Sequence, residues 1–366
     1  MIEDQKYILN EILTIVKEQQ PQAVLIAGDV YDTANPSAEA VALLSLFLKQ
    51  LHSTVNDVFI LSGNHDSADR LAFGASIMDE AGMHFSRVYS KDMPTYTLKD
   101  EFGEVHFYLL PFIKPIDVRS CYREQLTECG KTIDTYTNAL EYAIEQMRVD
   151  YSQRNILLAH QYMVGAERTD GEDMPTIGGV DEVNASVMKD FDYVALGHLH
   201  KPQHVNAYPY IRYSGSPLKY SFSETDHYKS VTVLEIGQKG CPVSVREIPL
   251  IPLHDWTDIQ GSYDELMSSD FRNGKGYENN YVRVTLTDEL DVLDAMNKLR
   301  TCYPYIMKLQ YDNSRTRALQ DTSMASEVEK KSPTELVSEF YCKQNGQPMT
   351  QEQQQLINLL IEEIFV

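Results

Sequence analysis

Four short stretches of this 366-residue chain place carboxylates, an amide and imidazoles directly after apolar runs. They are GDVYD at Gly28–Asp32, GNHD at Gly63–Asp66, the pair Ala159–His160, and GHLH at Gly197–His200. Each preceding run reads as a buried strand. Polar residues at the C-terminal ends of several strands converge in space in layered α/β folds. Carboxylate and amide oxygens mixed with imidazole nitrogens suit a borderline divalent transition ion (manganese, iron or zinc) better than calcium. Glycine before the first ligand lets the backbone turn sharply and leaves room beside an ion. Singly, each stretch is weak: a histidine after a strand is more often a core or surface residue, and Gly, Asn and Asp also make ordinary turns. The signal is the set of four, in this order, each on a strand end.

The elements that must hold them can be read from periodicity. Ile8, Ile12, Ile15 and Val16 recur at helical spacing over the first twenty residues. Pro21 then leads into the strand AVLIAG, followed by a helix from Pro36 to Leu51, the strand VFILSGN and a helix through RLAFGASIMDEAG. TYTL and VHFYLLP flank a turn at Lys99–Glu104 and predict a hairpin, and Ile133–Met147 predicts a helix. NILLAH and YVALGH are strands on either side of a polar loop at Gly165–Gly179, and YIRYSGSP, SVTVLEI and VSVREIPL complete the set. Strands alternating with helices make this an α/β fold, a two-sheet core with helices outside over residues 1–252. Residues 253–312 read as a small α/β cap in the order helix, YVRVTL, helix, YIMKLQY. Residues 313–332 lack periodicity and read as a linker, and 333–366 as two helices. Pro333 suits a helix start, and Thr350 with Gln353 makes a capping box. Leu356, Leu359, Leu360 and Ile364 form an apolar stripe on the last helix.

Composition narrows the classes. A net charge of −22 argues against gripping nucleic acid by an overall basic surface, although bound cations and a basic partner can change the local field. No apolar run is long enough to span a bilayer, so no membrane association is expected. The acidic, amphipathic start fits neither a signal nor a transit peptide, and five scattered cysteines without a CxxC predict reduced thiols in the cytoplasm.

At all four motifs the sequence resembles the calcineurin-like metallophosphoesterases. AVLIAGDVYDTANPSAEAV, GNHDSADRLAFG, YSGSPLKYSFSE and PTELVSEFYCKQNG narrow the resemblance to SbcD-type nuclease subunits, and it extends over nearly the whole chain. These are the bacterial counterparts of the archaeal and eukaryotic double-strand-break repair nuclease. The resemblance implies a metallophosphoesterase sandwich, a capping domain and a tail that docks on an SbcC-type ATPase. It implies 3′–5′ exonuclease and endonuclease action on DNA ends and hairpins, driven by that partner. Asp29 would bridge two divalent ions, manganese or else magnesium. Asn64, His160 and His198 would complete one of them, and His200 would belong to the other. His65 would face the scissile phosphate and stabilise or protonate the leaving oxygen, while Asp32 and Asp66 would orient the ligands. The segments Pro36–Leu51 and Arg70–Ala81 match the region through which such nucleases form homodimers.

The resemblance also implies an Asp-x-His motif ahead of the first helix, and none occurs within residues 1–28. A late start or a shortened chain would account for this, as would genuine loss of one ion. As written, the chain is expected to hold at most one ion tightly, to be weakly active or inactive, and to leave backbone groups unpaired beside a missing strand. A stand-alone phosphodiesterase on a small phosphoester and a catalytically impaired scaffold subunit are the rival readings. His52, His84, His106, His204, His227 and His254 lack motif context and read as structural or surface residues, and the many tyrosines as core.

Overall fold

The acidic N-terminal segment folds as α1 (Ile2–Gln19), with Glu3 and Asp4 in its first turn and Lys17 in its last, each sign favourable to the helix dipole. Ile8, Leu13, Ile15 and Val16 are its buried stripe. The computed structural model describes residues 2–169, 182–205, 207–320, 333–345 and several beyond, and it divides into two compact units, Met1–Thr257 and Asp258–Val366.

The first unit opens with a parallel sheet of β1 (Ala23–Ile26), β2 (Asp57–Ile60) and β3 (Met83–Phe85), in that order. Parallel neighbours need crossovers. These are α2 (Ala38–His52), capped by the Ser37 hydroxyl, and the short pair α3 (Ala68–Leu71) and α4 (Ala75–Asp79). The single helix expected over this pair is broken at Gly74, whose φ of 75° lies in the left-handed region. Among the described residues β1 is an edge strand, and its four residues are half-buried.

A second, six-stranded sheet runs in the order β4-β5-β6-β7-β9-β8. Its strands are β4 (Thr95–Asp100), β5 (Gly103–Leu110), β6 (Arg154–His160), β7 (Tyr193–Gly197), β8 (Gln203–Val205) and β9 (Tyr208–Tyr213). β4–β5 is the expected hairpin, and β5, β6, β7 and β9 are mutually parallel. Its helices are α5 (Pro115–Cys121), α6 (Arg123–Cys129) and α7 (Tyr136–Met147). A two-stranded ribbon of β10 (Ser230–Glu235) and β11 (Ser244–Pro249) completes the strands of this unit.

The period of two in the strands fixes the layering. Val58 and Ile60 of β2 pack with Leu13 and Val16 of α1 and Phe47 and Leu51 of α2. Phe59 and Leu61 point the other way, into a core with Val105, Phe107, Leu109, Ile156 and Leu158 of the second sheet. The alternate residues Tyr108, Leu110, Leu157 and Ala159 pack with α5 and α7. Four layers result: helix, sheet, sheet, helix. His84 lies in the inter-sheet core, stacked on Phe59 at 4.7 Å between rings, with Asp57 and Asp79 at its two nitrogens.

The second unit has a sheet of β12 (Trp256–Gly261), β13 (Tyr281–Leu286) and β14 (Ile306–Tyr311), with α8 (Tyr263–Met267), α9 (Ser269–Arg272) and α10 (Ala295–Arg300). Its core is Ile259, Leu266, Val282, Val284, Leu286, Leu299, Tyr303 and Ile306. β12 is a strand that periodicity does not announce, because its buried positions are Trp256, Ile259 and Gly261 rather than alternate residues. α11 (Ser314–Gln320) occupies the start of the segment read as a linker. Asn313 and Thr316 nucleate it by reciprocal bonds from each backbone N–H to the other's side-chain oxygen. α12 (Pro333–Asn345) begins at the expected proline, and Thr350 and Gln353 form the expected capping box. Leu359, Leu360 and Ile364 lie outside the described residues. No helix among the described residues is long and apolar enough to cross a membrane.

Candidate metal centre

The ends of β1 and β2 in one sheet and of β6 and β7 in the other deliver Asp29, Asn64, His160 and His198 to one place. Ligand atoms of Asp29, His160 and His198 all lie within 4.8 Å of one another. His160 Nε2 is 3.0 Å from Asp29 Oδ2 and 3.1 Å from Asn64 Oδ1, and His198 Nδ1 is also 3.1 Å from Asn64 Oδ1.

The protons determine what this cluster can bind. His160 is fully buried, and its Nδ1 is 2.8 Å from the Ala27 carbonyl, which can only accept. His160 Nδ1 therefore keeps its proton, and the proton between Nε2 and Asp29 is the one an ion would displace on binding. Burial first, then the neighbouring His160, push the His198 imidazole down to about 3, so it is neutral at ordinary pH. Burial opposes the charge on Asp29, but the His160 hydrogen bond and charge and the His65 amide outweigh it and hold the carboxyl below its usual range. A carboxylate, an amide oxygen and two imidazoles thus converge on one point. That donor set fits a divalent transition ion.

The surrounding chain is built to keep these atoms close. Asp29 and His198 both adopt positive φ, 48° and 104°, which costs non-glycine residues about 1–3 kcal/mol each. A Cβ on Gly197 would lie 1.7 Å from the Ala27 carbonyl oxygen and 2.6 Å from His160 Nδ1, so only glycine lets β7 approach this closely. Asp66 accepts from the backbone N–H groups of Val30, Tyr31 and Gly63 at 2.9–3.0 Å and ties the two carboxylate loops together. Burial raises the Asp66 carboxyl, against the pull of those three donors.

His65 sits beside the cluster rather than in it. Its N–H donates to Asp29 Oδ1 at 3.1 Å, and its Nδ1 is 3.0 Å from the carbonyl oxygen of Asp32. The bond from Asp32 is thus made by its main chain, and it orients His65. His200 is not brought into the three-residue cluster; its Nδ1 is 3.0 Å from Glu224 Oε1. Sequence reasoning missed Glu224, whose only signal was its place at the end of YSGSPLKYSFSE.

A four-layer α/β sandwich with a divalent-ion donor set on its strand ends is the architecture of a metallophosphoesterase. A family model described as calcineurin-like phosphoesterase matches residues 2–202, and one described as type 5 capsule protein repressor C-terminal domain matches 249–345. Two curated relatives are named as the SbcD component of the nuclease SbcCD. The Staphylococcus epidermidis protein is 32% identical over 372 aligned residues, spanning 100% of this chain and 94% of its own. The Staphylococcus saprophyticus protein is 30% identical, spanning 99% of this chain and 94% of its own. The chain belongs to the SbcD-type nuclease subunits of the calcineurin-like phosphoesterase family. Divalent-ion binding and metal-dependent nuclease chemistry come with that membership.

Proposed function

We propose that this chain hydrolyses DNA phosphodiester bonds as the nuclease subunit of an SbcC–SbcD-type complex, acting as a 3′–5′ exonuclease and as an endonuclease at ends and hairpins. The observation that carries it is the convergence of Asp29, Asn64, His160 and His198, with the His65 amide on the same carboxylate. These four residues would hold one divalent ion, manganese before magnesium, and Asp29 with His200 would contribute to a second. When bound, such ions supply an activated water and neutralise charge developing on the phosphate. The chain's own residues do the rest. Ala27 and Asn64 fix the two imidazoles, Asp66 locks the two carboxylate loops, and Asp32 orients His65 to hold or donate a proton at the departing 3′ oxygen.

The cluster of Asp29, His160 and His198 supports one tightly held ion per chain, and slow cleavage is proposed with that count. The reading extends to a cytoplasmic protein with a nuclease domain at 1–252, a cap at 253–312, a linker at 313–332 and an SbcC-binding tail at 333–366. Homodimerisation is assigned to the helices of the Pro36–Leu51 and Arg70–Ala81 region, where Phe73 and Ile77 are exposed.

Calorimetric titration of Mn²⁺ into the 366-residue chain should show one tight ion, and two would refute that count. Cleavage of linear duplex DNA should exceed that of a small chromogenic diester. His65→Ala should lower kcat on DNA while leaving Mn²⁺ affinity within a few-fold. An unchanged kcat would remove His65 from its role.

A further inference from the structure

The imidazole of His200 is held by a carboxylate outside all four motifs. Glu224 ends a single 3-10 turn, Phe222–Glu224, and is 1% exposed. Its Oε1 lies 3.0 Å from His200 Nδ1 and accepts from the Tyr220 N–H at 3.2 Å. Its Oε2 meets Lys229 Nζ at 2.6 Å, and Lys229 is itself buried. The same ammonium donates to the His200 carbonyl and to Ser216 Oγ, both at 2.8 Å. GHLH, YSGSP and YSFSE, three stretches within residues 197–224, are thus joined through one buried ion pair.

A buried ion pair is a poor device for stability alone, since apolar residues of like volume often do as well or better. What this pair supplies is direction. Glu224 accepts from the Tyr220 N–H on one oxygen and from the Lys229 ammonium on the other, so both of its oxygens are acceptors. A carboxylate can only accept, so His200 Nδ1 must carry the proton, and the neutral ring then has its lone pair on Nε2.

We propose that Glu224 is a positioning residue for His200: clamped by Lys229, it locks the imidazole as the Nδ1–H tautomer and thereby presents Nε2 as a ligand for a divalent cation. The inference rests on the reading of His200 as a metal ligand given above. Glu224→Gln makes the sharpest test. Lys229 would attract the amide oxygen and turn the amide N–H groups toward Nδ1, which must then accept, reversing the tautomer.

Histidine-selective ¹⁵N labelling of the 366-residue chain reads the tautomer directly, without metal. His200 is expected as Nδ1–H in the wild type and as Nε2–H in Glu224→Gln. Zn²⁺, a diamagnetic probe, should shift the His200 ring nitrogens at roughly ten- to hundredfold higher concentration in the variant, while the His160 and His198 responses hold. If Glu224→Gln folds poorly, Glu224→Gln/Lys229→Met removes both buried charges at similar volume and should show mixed tautomers and the same weakened Zn²⁺ response. An Nδ1–H tautomer and an unchanged Zn²⁺ midpoint in a folded variant would overturn the proposal. A wild-type His200 that ignores Zn²⁺ while its tautomer still depends on Glu224 would instead overturn the ligand reading beneath it.

Discussion

At the scale of single residues, the site depends on atoms held closer than ordinary side chains allow. Gly197 is the clearest case, because its missing Cβ is the space taken by the Ala27 carbonyl and the His160 ring. Gly197→Ala must move β7 or rotate His160, and overpacking of this kind costs about 1–3 kcal/mol. Urea melts should show that loss, and on the proposed ligand set Mn²⁺ affinity should fall about tenfold or more, because the His160 and His198 rings would no longer converge. Wild-type affinity would mean that the close approach is incidental. The convergence of Asp29, Asn64, His160 and His198 was legible in the sequence because each follows an apolar strand, so position along the strand stands for position in space. Glu224 was not legible in the same way. It lies on a single 3-10 turn, 24 residues from His200, and its meaning depends on Lys229 arriving from the start of the ribbon strand β10.

At the scale of elements, β6 carries the most weight, since it lies between β5 and β7 and ends in His160. Leu158 is fully buried in the inter-sheet core, and Leu158→Ala should cost about 2–5 kcal/mol in a urea melt. At the other end of the strand, the buried Arg154 guanidinium binds both Asp100 oxygens, at 2.8 and 2.5 Å, and the carbonyls of Gly103, Glu104, Ile236 and Gly237. Its hydrogen bonds are the main cause holding the Asp100 carboxyl below the usual range. A carboxyl depressed on folding contributes stability above its unfolded value, about 3.9, and that contribution is lost as pH falls through the folded value. Asp100→Asn should therefore be less stable than wild type at pH 7, and the gap should narrow below about pH 4. A gap independent of pH would place the effect in packing. Elements with a clean period were legible, as in the β4–β5 hairpin. β12 was not, because its buried residues do not alternate, and α11 was not, because its start depends on the side-chain exchange between Asn313 and Thr316.

At the scale of the whole molecule, a net charge of −22 must be reconciled with a polyanionic substrate. In the proposed division of labour the metal ions hold the scissile phosphate, and the ATPase partner, docked through residues 333–366, supplies the basic track. Charge on the partner makes a distinct prediction, because each phosphate neutralised by a protein cation steepens the salt dependence of binding by about 0.9 in the log–log slope. Fluorescence anisotropy with a duplex end in Mn²⁺ should give this chain alone a slope shallower than about −3, and the complex a slope at least twice as steep. Removing the residues after Lys331 should abolish co-purification with the partner, and with it the steep component, while Mn²⁺ binding by the remaining chain is unchanged. A slope near −8 for the chain alone would mean that it carries its own cationic track despite its net charge. A truncated chain that still co-purified would move the docking surface out of the tail.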